Sequence, residues 1–202
     1  MGSVISSAFP QLHYSVCNVP NGAWSHTIPG SLLYDMALAG VLTNIYGDET
    51  DVVMQLVISQ TSWDDIDGAA WADPALEKGT MFLLQQSMDD PVVPNAGTDI
   101  LAVALGAKMI GPALQEVPGL QAADQVVSGA GITQFRVPDS GVYDVHGFAA
   151  RDTPAGAAAF EQIIEFVNSV WIDQSPLITF PDACAEVTPA GDCDFSEVWT
   201  EE

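Results

Sequence analysis

The chain has 202 residues, 48% of them hydrophobic, and sets 27 acidic side chains against 4 basic ones for a net charge of −23. That length and apolar content predict one folded domain with a sizeable core and exclude a disordered chain. The charge excludes nucleic acid and anionic membrane surfaces as partners, because both need a basic patch, and no apolar run reaches the roughly 18 residues of a membrane span.

The first residues lack the basic start and long apolar stretch of a signal peptide. Met1-Gly-Ser-Val-Ile-Ser6 matches a myristoylation pattern, but no basic cluster accompanies it. Residues 2–9 form a short segment of small side chains with helical character. Residues 14–19 read as a buried strand that stops at Pro20-Asn-Gly22. Trp24 and His26 follow in a loop, where His26 has no acidic or cysteine partner at ligand spacing and takes a surface or capping role. The spacing predicts helices over 32–45 and 51–60, joined by a Gly47-Asp48 turn and apolar on wide faces. Trp63-Asp-Asp-Ile-Asp-Gly68 has the acidity of a calcium loop but fails its pattern. Trp63 breaks the alternation, and Ala75 or Leu76 stands where the bidentate Glu belongs. A helix-capping loop before Trp71 is the expectation, with no metal site.

Met81-Phe-Leu-Leu84 is too short for a helix and reads as a strand buried on both faces, the signature of a parallel sheet. It breaks into Asp89, Asp90, Pro91 and Pro94, which cannot continue a strand. Asn95 is placed to cap a helix over 96–105 that ends at Gly106. A carboxylate therefore sits where a buried strand ends and a helix begins, and in open α/β sheets ligands bind at the carboxyl ends of strands. Residues 110–124 form a Pro- and Gly-bearing connection, 132–137 alternate as a strand, and 141–148 carry His146 in a loop. Phe160, Ile163, Ile164, Val167, Val170 and Trp171 recur at helical spacing, a core-packing stripe. Past Gln174 the sequence is an acidic tail with prolines. It holds Cys184 and Cys193, whose spacing could close a small disulfide loop and so point to an exported parent protein. Two unpaired thiols in a mobile tail fit the same residues. Cys17, in an apolar run, reads as a free buried thiol.

Strand, acidic turn, Val-Pro-Asn, helix, then a histidine followed by an amphipathic helix: this order resembles the C-terminal half of an α/β-hydrolase, over about residues 1–171. In that family the catalytic residues run Ser, Asp or Glu, His. The resemblance implies that Asp90 is the acid, with Asp89 as a fallback and Asp144 a weaker one, and that His146 is the histidine. Singly, Asp90 is a turn aspartate and His146 a loop histidine; context and order make them a pair. Nothing here matches the Gly-x-Ser-x-Gly elbow. Met1-Gly2 does match residues that follow the nucleophile in the family. The expectation is that the chain starts just after the elbow, with the serine immediately before Met1; an ordinary start methionine is the other account.

The fold so implied is α/β, a partial α/β-hydrolase sheet over 1–174 with a helical, cap-like insertion at 32–71 and the tail at 175–202. The function implied is serine-type hydrolysis of ester or related acyl bonds on a small-molecule substrate, with no cofactor and no metal. The other class is a non-catalytic, hydrolase-like binding or interaction domain. A sheet lacking its preceding strand would also expose an edge open to self-association.

Overall fold

The structure, a computed structural model, describes residues 2–9, 11–138 and 141–198. In chain order it contains α1 (Gly2–Ala8), β1 (Tyr14–Asn18), α2 (Trp24–Gly30), α3 (Leu32–Ala37), α4 (Ala39–Tyr46), α5 (Glu49–Trp63), α6 (Ala72–Glu77) and β2 (Met81–Ser87). There follow α7 (Asn95–Ala104), β3 (Lys108–Ile110), β4 (Gln121–Ala123), β5 (Gln125–Val126) and β6 (Ala130–Phe135). The last elements are α8 (Val142–His146), α9 (Pro154–Trp171), β7 (Ile178–Thr179) and α10 (Asp182–Val187). The architecture is α/β: a five-stranded sheet in the order β1-β2-β6-β3-β4, every pairing parallel, with β5 and β7 as a separate antiparallel pair.

The parallel sheet follows from β2. All seven of its residues are buried, so both faces must be covered, and its side chains alternate between two layers. Phe82 and Leu84 pack into the cluster that holds Leu101 and Leu105 of α7 and its C-cap. Met81 and Leu83 pack with Phe166 of α9 and Ile178 of β7. Even the polar end of β2 obeys this period of two. Gln85 donates to Ala159 O and Gln162 of α9, while Gln86 donates to Asp99 of α7. The pairing of β2 with β6 runs from Phe82↔Ala130 to Ser87↔Phe135, so the two strands end side by side.

Several elements differ from expectation for local reasons. The stretch 32–45 is two helices, broken at Leu38, whose φ of −121° is not helical. Trp24 and His26 lie on α2, not in a loop. The connection 110–124 includes the three-residue strand β4. His146 ends the short helix α8 and is not in a loop. Residues 175–198 are no tail (199–202 lie outside the described residues): Ile178, Cys184, Cys193 and Phe195 are fully buried, and the last three share a core cluster with Phe135 and Val145. The strand β1 is only half buried, because it pairs with β2 alone and forms an edge.

Candidate active site

The acid turn is built by side chains that bind its own backbone. After Ser87 the chain enters Asp89 at φ +60°, a conformation that aspartate tolerates better than most residues. Asn95 stabilises that bend from across the turn: its Nδ2 donates to Ser87 O at 2.6 Å, and its Oδ1 accepts from Asp89 N at 2.8 Å. Asn95 thus does not cap α7, whose N-cap is Pro94; it closes the loop that presents Asp90. The Asp90 carboxylate then folds over the residues behind it. Its Oδ1 accepts from Val92 N at 2.8 Å and Val93 N at 3.1 Å.

The other oxygen of Asp90 lies 2.8 Å from His146 Nδ1. The Asp90 side chain is 1% exposed and that of His146 is 32% exposed, so the carboxylate is sealed and the ring reaches solvent. His146 is brought here by α8, which β2 itself anchors: Ser87 Oγ donates to Val145 O at 2.7 Å, and Val145 is buried. Strand end, acid turn and histidine helix are one hydrogen-bonded unit at the carboxyl edge of β2 and β6. With Nδ1 bound to the carboxylate as donor, Nε2 is left as a proton acceptor. Among the described residues no hydroxyl or thiol bonds to the His146 ring.

The two fallback acids go elsewhere. Asp89 is 80% exposed and lies 3.7 Å from Arg136, while Asp144 pairs with Arg151 at 2.6 Å. Neither faces His146. His26 is exposed, with Nδ1 3.1 Å from Ser25 Oγ. The helical insertion is tied to the acid turn at two points: Leu32 N donates to Pro91 O at 2.8 Å, and Ser31 Oγ to Val92 O at 2.7 Å.

The acidic loop 63–68 is tied into the helical segment between β1 and β2. Asp67 accepts from Ala23 N, Trp24 N, Ala69 N and Gln60 Nε2 at 2.8–3.0 Å, so it closes the start of α2 and not a helix before Trp71. Burial alone would raise its pKa, but those donors outweigh it and hold the carboxyl below the usual carboxylate range. Glu161, Glu165 and Asp182 bring ligand atoms within 4.8 Å of one another. Two of these carboxylates already accept bonds, from Ala183 N and from Thr179 Oγ1, which staple α10 and β7 onto α9. Cys184 and Cys193 form a disulfide across nine positions, and Cys17 is free, its thiol pKa raised chiefly by burial against a lesser opposing bond from Ser15.

Sequence reasoning missed the polar relays that brace the site from below. On the α9 side Asn18 donates to Gln85, Gln85 to Gln162, and Gln162 to Thr133 and Thr179 O. On the α7 side Gln134 donates to Gln86 and Gln86 to Asp99, while Gln134 Oε1 accepts from Leu114 N and Gln115 N. The signal was present as two glutamines inside an otherwise apolar strand, which must be bonded if buried. No known family model matches this chain, and no curated protein or solved structure is similar enough to it to count as a match.

Proposed function

We propose that Asp90 and His146 are the acid and base of a serine-type hydrolase acting on ester or related acyl bonds, and that the nucleophile lies outside these 202 residues. This is the reading the α/β-hydrolase resemblance implies. The observation that supports it best is the 2.8 Å contact between Asp90 Oδ2 and His146 Nδ1, at the carboxyl ends of adjacent parallel strands. In such a mechanism the imidazole takes the proton of the attacking hydroxyl at Nε2 as its oxygen bonds to the acyl carbon. It then returns that proton to the leaving alcohol, and water repeats the sequence to release the acid. Asp90 fixes the tautomer through Nδ1 and stabilises the imidazolium. Its second oxygen, committed to Val92 N and Val93 N, prevents the carboxylate from rotating away.

The test compares this polypeptide with one extended upstream through its reading frame, using a fluorophosphonate probe and a short-chain aryl ester. The extended form is expected to label and to hydrolyse. His146→Ala should abolish hydrolysis, and Asp90→Asn should reduce turnover by about 10⁴. Undiminished activity in either variant would remove the proposal. Labelling of the 202-residue chain alone would place the nucleophile within it instead.

A further inference from the structure

We infer, resting on the acid and base roles proposed above, that Ser87 is the positioning residue of the Asp90–His146 pair. Its hydroxyl sets the histidine and its carbonyl sets the acid, while it bonds to neither side chain. Ser87 is the last residue of β2, 1% exposed, and lies beside Phe135 at the end of β6. Burial leaves no water to compete for its polar atoms, so they must be committed to the protein.

The histidine side starts from a helix that cannot hold itself. With five residues, α8 is well below the length at which a helix persists alone. Its N-cap is Gly141, which has no side chain to close the first turn. Val145 is buried with Phe135 and Phe148, but apolar packing is non-directional and fixes depth, not rotation. Asp144 pairs with Arg151 at 2.6 Å, with 29% and 46% of the side chains exposed, and a pair so open to solvent contributes little. Among the described residues, the hydrogen bond that joins α8 to the sheet runs from Ser87 Oγ to Val145 O, at 2.7 Å. That carbonyl belongs to the planar peptide group that ends at the Cα of His146. The hydroxyl therefore fixes the plane from which the His146 side chain departs.

The acid side starts from the same residue. Ser87 O accepts from Asn95 Nδ2 at 2.6 Å, and Asn95 Oδ1 accepts from Asp89 N at 2.8 Å. Met88 N, between them, donates to Phe135 O at 2.7 Å. The chain thus leaves the sheet at a point fixed to β6 and turns into Asp90 through a bend anchored on the Ser87 carbonyl. The 2.8 Å contact of Asp90 Oδ2 with His146 Nδ1 is lost if either side slides by about 1 Å, since such bonds hold only over roughly 2.7–3.2 Å. Both sides are measured from one residue, so they keep register. A residue at 87 without a hydroxyl would leave the buried Val145 O without its donor at a helix C-terminus. The last turn of α8 would then rotate that carbonyl toward water and take the ring with it.

Proton–nitrogen correlation spectra of the imidazole rings in the 202-residue chain test this without turnover, and His146→Ala assigns the signal among the three histidines. At a pH where the ring is neutral, the wild type is expected to show a single Nδ1–H tautomer, the form the carboxylate selects. Ser87→Ala should replace it with a mixture in which the Nε2–H form appears. Ser169→Ala is the control, because its buried hydroxyl likewise bonds backbone groups, at Phe166 and Leu177. It should lower the urea midpoint as Ser87→Ala does, yet leave the His146 tautomer as in wild type. A mixed tautomer in the wild type, an unchanged one in Ser87→Ala, or an equal change in Ser169→Ala overturns the inference. In the polypeptide extended upstream, Ser87→Ala should cut turnover about tenfold, close to the worth of one net hydrogen bond, with KM unchanged. Absence of hydrolysis from the extended wild type would remove the hydrolase reading alone and leave the tautomer result standing.

Discussion

Asp90 and His146 are unequal partners, and the inequality is measurable. The carboxylate is buried and accepts from two backbone donors besides the ring, whereas the ring is one-third exposed. Asp90→Ala leaves two half-buried N–H groups without their acceptor and should cost about 1–3 kcal/mol of stability in urea unfolding. His146→Ala should cost less than Asp90→Ala, since solvent reaches the ring and can take over its bond. Equal losses would contradict the burial pattern. Asp67 gives a pH-dependent counterpart. Its folded pKa is depressed, so its contribution is present above the ordinary carboxylate range near 4 and is lost as pH falls through and below that range. Asp67→Asn should therefore be destabilising at pH 7, with the gap from wild type closing in acid; a gap independent of pH would show that the charge does not matter. The acid–histidine contact was expected only because the order of strand, acidic turn, helix and histidine resembles the α/β-hydrolase pattern. The anchoring of Asp90 by Val92 N and Val93 N was not, since backbone donors leave no mark in side-chain identity.

At the scale of elements, legibility tracked length and period. The strand β2 showed itself as an apolar run and α9 by its helical period. The bulky stripe read as core is not the buried face of α9, however: Phe160, Ile164 and Trp171 are exposed, and the helix buries Ala155, Ala158, Ala159, Gln162, Phe166 and Ser169. The strands β3, β4, β5 and β7 have two or three residues each, too few to display any period. The glutamine relays make α9 and β2 one unit. Gln85 and Gln162 are fully buried and bond each other as well as Ala159 O and Thr179 O. Gln85→Leu alone leaves acceptors and the Asn18 amide without their partner, and should cost on the order of 1–3 kcal/mol. The double change Gln85→Leu with Gln162→Leu should cost less than the sum of the two single changes, because each loss removes groups the other had orphaned. Additive losses would mean the amides act separately.

For the molecule as a whole, residues 175–198 carry part of the core. Their apolar positions, Ile178, Phe180, Cys184, Cys193 and Phe195, follow no helical or strand period, which is why composition alone read them as a tail. Their burial makes the disulfide structural. Removing it with Cys184→Ala and Cys193→Ala together should cost about 2–4 kcal/mol and lower Tm without changing the sheet. Alkylation of the unfolded protein without reductant should modify Cys17 alone; three modified cysteines would refute the bond.

The helices α3 and α4 contain no buried residue, yet α3 begins from bonds made to Pro91 O and Val92 O, on the same backbone that holds Asp90. A segment with so little buried area opens at low free energy, well before the sheet does. Limited proteolysis should therefore nick the chain between residues 32 and 46 under native conditions, leaving the sheet intact. Because the tether and the acid turn share their peptide groups, such a cut would loosen Asp90 without touching it. Fraying of these helices would thus act as a dial on the imidazole, set by whatever steadies them.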